Sequence, residues 1–394
     1  MNNQQGNSRA LMDWLQDHEA EMFSLLERIV NIDSGSHDKE GVDQVQAVLQ
    51  QYLEAAGIET QIFPQEKSGN CLLAKVPCRA ESSSQSGYIL LMGHADTVFP
   101  KGTVSERPFT VKDNIAYGPG VADMKSGLVM NTFIALAFNA LGGHSAPIYV
   151  LYTGDEEIAS PESRTVIQEV AAGASMVLNA EPGRPTGNVV TERKGAMFLD
   201  FEVHGKAAHA GTNHKDGISA IDALAHKIID LHQATDLEQG ITANVGVVTG
   251  GLSVNTVAPR ATAQVDVRYP SSVNHATLRE RIGTIIEQSG NTQGATAAIT
   301  HEGSFLPMSP SPANQQLFTD YKNSAVQVGL HIEGEFAGGS ADSGLTSIAG
   351  IPTLCATGPV GGFYHTVKEY CELNTIVPRA QAAALTILAR SEID

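Results

Sequence analysis

Three carboxylates end an apolar run in Ile148-Tyr149-Val150-Leu151-Tyr152-Thr153-Gly154-Asp155-Glu156-Glu157. Neighbouring residues at a strand end or turn point in different directions, so one of Glu156 and Glu157 can hold a cation while the other faces a substrate. Four more segments offer compatible chemistry. His94 and Asp96 follow the apolar Leu90-Leu91-Met92-Gly93, and Glu181 follows Val177-Leu178-Asn179-Ala180. Asp123 sits in Gly118-Pro119-Gly120-Val121-Ala122-Asp123, and His365 in Phe363-Tyr364-His365-Thr366. Imidazole is a common metal ligand, and a carboxylate two residues on can accept its second N–H and fix the tautomer. Two histidines with three carboxylates suit a pair of Zn²⁺ ions, or Co²⁺ or Mn²⁺ in their place. Taken singly, His94-Ala95-Asp96 reads by default as a histidine satisfied near a turn. The Gly118-Pro119-Gly120 stretch is not a dinucleotide fingerprint, since Asp123 holds the third glycine position and no apolar strand runs into Gly118. Its glycines instead allow a tight turn that aims Asp123 into a cleft, where one carboxylate can bridge two cations.

Positioning groups so far apart in sequence requires a sheet with its strand ends on one side. Leu11, Trp14, Leu15, Met22, Leu25, Leu26 and Ile29 recur at helical spacing, which predicts one helix over 10–30. A second helix is expected over 41–56, strands over 71–76 and 88–92, a helix over 126–141, and strands over 148–152 and 175–179. This alternation indicates an α/β fold, a mostly parallel sheet flanked by helices. Beyond residue 190 the order changes. Strands over 196–205, 243–249 and 261–268, with helices over 217–232 and 275–288, fit an inserted α+β domain of ferredoxin-like type. From Pro307 the α/β habit returns, with helices over 314–328 and 377–391 around an apolar segment at 351–355. The expected domains are 1–190 and 307–394 for the catalytic part, and 191–306 for the insertion.

The ordered set His94-Ala95-Asp96, Gly118 to Lys125, Asp155-Glu156-Glu157, Glu181-Pro182 and Tyr364-His365 resembles the successive signatures of the M20 metallopeptidases over nearly the whole chain. Within that family it looks most similar to the glutamate carboxypeptidase branch. The resemblance implies a zinc-exopeptidase-like fold in which His94, Asp123 and Glu181 hold one Zn²⁺, and Asp123, Glu157 and His365 the other. It makes Glu156 the general base and Asp96 the residue that orients His94. In the insertion it implies a lid and dimerisation domain. There His209, in Gly205-Lys206-Ala207-Ala208-His209-Ala210-Gly211, reaches the partner subunit's site and polarises the scissile carbonyl. Asn255 and Arg268 would bind the substrate's carboxylate, Arg268 through a bidentate fork. Ser340, in the glycine-rich Gly338-Gly339-Ser340, would add a hydroxyl donor. Standing alone, Asn255 reads as a turn residue, Arg268 as a strand-end surface charge, and the Ser340 loop as a structural turn. One departure concerns substrate choice: Glu302 stands near a position where the glutamate-specific enzymes place a basic side chain, with Arg184, Arg193 and Lys194 as candidate substitutes.

Composition narrows the partners. The 394 residues carry 25 basic and 43 acidic side chains, a formal charge of −18, which disfavours nucleic acid and anionic membranes. A small peptide or N-acyl amino acid is the expected substrate, and a homodimer through the insertion the expected assembly. No apolar stretch is expected to match a membrane span, since charges or glycines interrupt each candidate. The start of the chain, Met1 to Ala10, lacks the pattern of a secretory signal, and Cys71, Cys78, Cys355 and Cys371 show no CxxC spacing, so a cytoplasmic setting is expected. The enzymatic reading is a C-terminal exopeptidase, with an N-acyl-amino-acid deacylase or dipeptidase as the nearest rival. From another class, the rival is a silent binding module, against which the retained Glu156 argues.

Overall fold

The apolar repeat over residues 10–30 is carried by two helices rather than one, Asn2–Asp17 and Glu19–Val30. His18 lies between them, its ring stacked on Trp14 at 3.7 Å and its Nδ1 2.7 Å from the Trp14 carbonyl oxygen. That contact takes up an acceptor left over at the helix end. The periodicity runs through the break because Leu11, Leu15, Met22, Leu25, Leu26 and Ile29 enter the same core. This is a computed structural model, describing residues 2–79, 87–290 and 294–390. The final helix spans Ile376–Arg390, and Ser391, its expected last residue, lies outside the described residues.

The strands, in chain order, are β1 (Glu59–Phe63), β2 (Cys71–Val76), β3 (Tyr88–His94), β4 (Thr110–Lys112), β5 (Ile115–Tyr117), β6 (Ile148–Thr153), β7 (Ala174–Asn179), β8 (Val189–Arg193), β9 (Gly195–His204), β10 (Thr242–Gly250), β11 (Arg260–Tyr269), β12 (Thr296–Phe305), β13 (Gly334–Ala337), β14 (Thr353–Cys355), β15 (Gly361–Gly362) and β16 (Tyr370–Glu372). The chain divides into two compact units. The first comprises 1–192, 309–336 and 345–394, and the second 193–308 with 337–344. The short return segment Ala337–Gly344, which carries Ser340, thus groups with the second unit, whereas the sequence assigned all of 307–394 to the first.

In the first unit an eight-stranded sheet runs β1-β2-β6-β3-β7-β14-β8-β13. β3 pairs in parallel with β6 and β7, and β7 with β14. Parallel pairing is thus concentrated in the centre, and the β1–β2 and β2–β6 pairs on one flank are antiparallel. The helix Ser126–Ala140 is buried on nearly every side. It is tied to the sheet by Asn131, which donates to the Met92 carbonyl at 2.9 Å, and by Tyr152 Oη, which donates to the Leu128 carbonyl at 2.9 Å. With the preceding turn, this helix gives a 20-residue stretch, Val121–Ala140, apolar enough to cross a membrane by length and composition. That corrects the expectation that no such stretch exists. With 89% of its apolar window buried inside the protein, its composition is explained by the core it fills. A small sheet, β15-β16-β5-β4, completes this unit.

The second unit follows the order β9, helix Ala220–Gln233, β10, β11, helix His275–Gln288, β12, with its antiparallel sheet ordered β10-β11-β9-β12. Ser219 and Asn274 cap the two helices, accepting from the Asp222 and Thr277 N–H groups at 3.2 and 3.0 Å. Met197, Leu199, Phe201, Val203, Leu224, Leu231, Val265, Val267 and Ile282 form a core separate from that of the first unit.

Candidate metal centre and substrate-contacting residues

The parallel register explains why the carboxylates and imidazoles meet. His94 ends β3 level with Thr153 at the end of β6, and Met92 is level with Asn179 at the end of β7. The residues just beyond, Asp96, Glu156, Glu157 and Glu181, therefore leave the same edge of the sheet. The helix Ser126–Ala140 comes so close that a Cβ at Gly127 would stand 2.1 Å from the Ala180 carbonyl oxygen. Only glycine permits that approach next to Glu181.

Asp123 lies between the two imidazoles. Its Oδ1 is 3.3 Å from His94 Nε2, and its Oδ2 is 3.4 Å from His365 Nε2. His94 Nε2 also lies 3.8 Å from Glu181 Oε1, and His365 Nε2 lies 3.2 Å from Glu157 Oε2. His94, Asp123 and Glu157 each offer a ligand atom within 4.8 Å of one another. All five sequence-nominated ligands thus come together. They form two sets that share Asp123.

Asp96 contacts these groups from behind. It is fully buried, lies 3.3 Å from His94 Nδ1 through Oδ1, and accepts the Ser36 hydroxyl at 2.7 Å. It also accepts the N–H groups of Glu156 and Glu157, each at 3.1 Å. Asp96 therefore aims His94, with its backbone carbonyl 3.0 Å and its carboxylate 3.3 Å from Nδ1, and pins the turn at Glu156 and Glu157. Asp155, by contrast, is turned into the protein, where it accepts from the Ser163 hydroxyl and the Glu162 N–H and burial raises its pKa.

The electrostatics show what the cluster calls for. Burial followed by the Asp123 charge pushes Glu157 up to about 7. Burial alone would lower His94, yet Asp123 and Asp96 beside it raise it well above the usual imidazole range. Asp123 and Glu157 lift His365 to about 10. Burial would raise Asp123, but His365 and His94 hold it below the usual carboxylate range. Crowded carboxylates so far out of water demand positive charge, which protons or a cation can supply. His94 Nε2 is buried and forms no hydrogen bond of acceptable geometry, although it faces two carboxylate oxygens. That donor set fits a divalent metal, which would displace the protons.

Two residues in this region escaped the sequence reading. Glu369 is buried and accepts the N–H groups of Gly120, Ala122 and Asp123 at 3.0, 2.9 and 3.0 Å, which holds the Asp123 turn in place. Burial raises its carboxyl to about 7. Its signal was the spacing His365-x-x-x-Glu369 on the segment that carries a ligand. Lys125 is buried, donates to the Ile32 carbonyl at 2.8 Å, and is lowered to about 7 by burial.

The remaining nominated residues lie in the second unit. His209 is exposed, and its Nδ1 accepts the N–H groups of Gly211 and Thr212, each at 3.1 Å. In the neutral ring this leaves the proton on Nε2. His209 bridges to Thr256, and the Ala210 N–H donates to the Asn255 carbonyl at 2.9 Å, so His209 and Asn255 share one exposed corner. Arg268 donates through Nε and Nη2 to Asp266, both at 2.7 Å, and through Nη1 to Ser340 Oγ at 3.3 Å. Ser340 in turn donates to the Lys194 carbonyl at 2.8 Å. The residues considered for reading a glutamate side chain have other partners. Glu302 accepts from Arg279 at 2.7 Å, Arg184 pairs with Glu335 at 3.5 Å, Lys194 Nζ donates to the Gly240 carbonyl at 2.5 Å, and Arg193 donates to the Gly339 carbonyl at 3.1 Å.

Comparison with known proteins adds to this geometry. The model of peptidase family M20/M25/M40 matches residues 90–389. Carboxypeptidase G2 of Pseudomonas sp. (strain RS-16) is 27% identical over 98% of this chain and 92% of its own length. An acetylornithine deacetylase of Vibrio cholerae serotype O1 is 30% identical over 58% of this chain and 62% of its own. Among solved structures, the M20 family metallo-carboxypeptidase Sso-CP2 from Sulfolobus solfataricus superposes with a TM-score of 0.75 at 18% identity, covering 94% of this chain and 99% of its own.

Proposed function

The chain belongs to peptidase family M20/M25/M40, and from that premise we propose that it is a two-zinc hydrolase cleaving the amide between an acyl or peptidyl group and a C-terminal amino acid. The observation that carries the proposal is Asp123, whose two oxygens face His94 and His365 while Glu181 and Glu157 complete the two sets. His94, Asp123 and Glu181 would hold one Zn²⁺, and Asp123, Glu157 and His365 the other, with Co²⁺ or Mn²⁺ as substitutes. Bound there, the cations lower the pKa of water toward neutrality and polarise a carbonyl.

The protein's own groups do the rest. Glu156, in the turn pinned by Asp96, takes a proton from the attacking water and returns it to the leaving nitrogen. Asp96 keeps His94 in the tautomer that presents Nε2 to the cation. Arg268, steadied by Asp266, keeps guanidinium N–H groups for the substrate's free carboxylate, with Asn255 as a further donor and Ser340, whose hydroxyl donates to the Lys194 carbonyl, holding Arg268 in place. His209 offers its Nε2–H to the oxygen on which negative charge develops. Strict preference for glutamate is not part of the proposal, because Arg184 is engaged with Glu335 and Glu302 with Arg279.

We assign the active form as a homodimer through the second unit. β10 lies at the edge of its sheet with Val247 and Val248 about half exposed, and Leu252 and Val254 beyond it stand at 77% and 104% exposure. An apolar, unpaired edge of this kind is suited to pairing with a second copy. Activity should disappear on chelation and return with Zn²⁺, Co²⁺ or Mn²⁺ when hydrolysis of a panel of N-acyl amino acids and dipeptides is followed. Turnover that survives complete metal removal would overturn the reading. The same panel separates the exopeptidase from an N-deacetylase, the second reading that the acetylornithine deacetylase relative favours.

A further inference from the structure

Beside the metal centre, and lined by its ligand Glu157, a cavity of about 520 Å³ opens between the segments 35–38 and 97–101 and Ile158. Its volume is in the range of small-molecule sites, about 300 to 1,000 Å³. An acetyl group displaces roughly two waters' worth of space, about 60 Å³, and would leave it almost empty.

The floor is built rather than incidental. The Ser36 N–H donates to the Thr97 carbonyl at 3.1 Å and the Thr97 N–H to the Ser34 carbonyl at 2.8 Å, so the two segments are paired. A Cβ at Gly35 would stand 2.5 Å from the Phe99 carbonyl oxygen, so the pairing depends on glycine there. Ser36 is tied to Asp96, the same carboxylate that aims His94 and pins the Glu156-Glu157 turn. The cavity and the reacting groups therefore keep a fixed relation within the first unit.

The walls define the occupant. Val98, Phe99, Pro100 and Ile158 are apolar, and Val98 is 42% exposed although it borders a ligand site. The one ammonium, Lys101, is matched by Asp38 at 3.1 Å and Glu40 at 3.9 Å, which leaves the lining without net positive charge for a carboxylate. A substrate whose carbonyl lies at the centre and whose leaving amino acid carries a free carboxylate would thus direct its other half, the acyl side, into this space.

We propose that the cavity at Gly35–Asp38, Val98–Lys101 and Ile158 is the acyl subsite, and that it selects a bulky, uncharged apolar acyl group the size of an aromatic ring over acetyl. The inference rests on the hydrolase reading for which half of the substrate enters, and its test separates the two. Calorimetry on zinc-loaded Glu156→Gln protein should give an affinity for N-phenylacetylalanine about tenfold or more above that for N-acetylalanine. Adding Val98→Trp, which fills the rim, should remove that preference, lowering the ratio of phenylacetyl to acetyl affinity about tenfold. Phe99→Ala, which widens the cavity, should lower the ratio of phenylacetyl to acetyl affinity severalfold. Circular dichroism and thermal unfolding establish that each variant is folded. Equal affinities for the two compounds, failure of both to bind, or a preference that survives both substitutions would overturn the subsite. If the preference holds and responds to Val98→Trp, but zinc-loaded unsubstituted protein hydrolyses neither compound, the subsite stands and the hydrolase reading falls.

Discussion

The two units carry their chemistry in opposite ways. In the first, four of the five groups suited to a cation are buried or nearly so, with His94 at 2% exposure, and the turns that carry Asp123 and Glu157 are fixed by the buried carboxylates of Glu369 and Asp96, whereas His365 is about half exposed. In the second, His209 and Asn255 are exposed and held only by residues close in sequence or on the neighbouring loop. Holding several carboxylates together against their own repulsion needs a rigid frame, which strand ends supply. Groups that meet a substrate must be reachable by it, and exposure is the price.

Substitutions can break this contrast, starting at the buried side. Asp123→Asn should abolish stoichiometric metal binding, measured by elemental analysis, and lower turnover by about a thousandfold or more, because one side chain serves both imidazoles. Metal retained at full stoichiometry would refute its bridging position. Glu156→Gln should keep the metal and reduce kcat by about 10² to 10⁴, the usual contribution of a general base. Unchanged kcat would transfer that role elsewhere. At the exposed side, Arg268→Lys should raise KM roughly tenfold with kcat largely kept, because an ammonium cannot reproduce the guanidinium fork. A fall in kcat without a change in KM would instead place Arg268 at the reacting centre.

The smallest effect concerns acid. Burial would raise the pKa of Glu162, but the Ser68 hydroxyl and the N–H groups of Ser68, Lys67 and Glu66 outweigh it and hold the carboxyl at about 2, against 4.5 unperturbed. A depressed folded pKa contributes stability that is complete above the unfolded value and is lost as pH falls through the folded one. Glu162→Gln should therefore lower stability by no more than about 1 kcal/mol above pH 5, given solvent screening, with the deficit closing toward pH 2. Thermal unfolding across that range checks it, and a deficit that grows in acid would contradict the assignment.

The sequence showed the cluster more clearly than its supports. His94, Glu157 and Glu181 follow buried parallel strands, whose unbroken apolar runs stand out and end where ligands gather. Exposed or very short strands gave no such signal: β1 is exposed or half-buried along its length, and β4, β5, β15 and β16 have two or three residues each. Glu369 was missed because its spacing from His365 says nothing of its role, which lies in three backbone N–H groups some 250 positions earlier. The break at His18 was missed because a stacked pair interrupts the helix without interrupting the apolar face. Ser340 was nominated from its glycine-rich loop, but chain order gives no hint that Ala337–Gly344 groups with the insertion.

The backbone at His365 has a further consequence. His365 has φ 61° and Phe363 φ 54°, left-handed conformations at residues with side chains, each costing about 1 to 3 kcal/mol unless surrounding contacts enforce it. For His365 the nearest charged groups are Asp123 and Glu157, which a bound cation would tie to it. Cation loading should therefore be legible as protease resistance: trypsin should cut at the exposed Lys368 faster after chelation than after reloading with Zn²⁺.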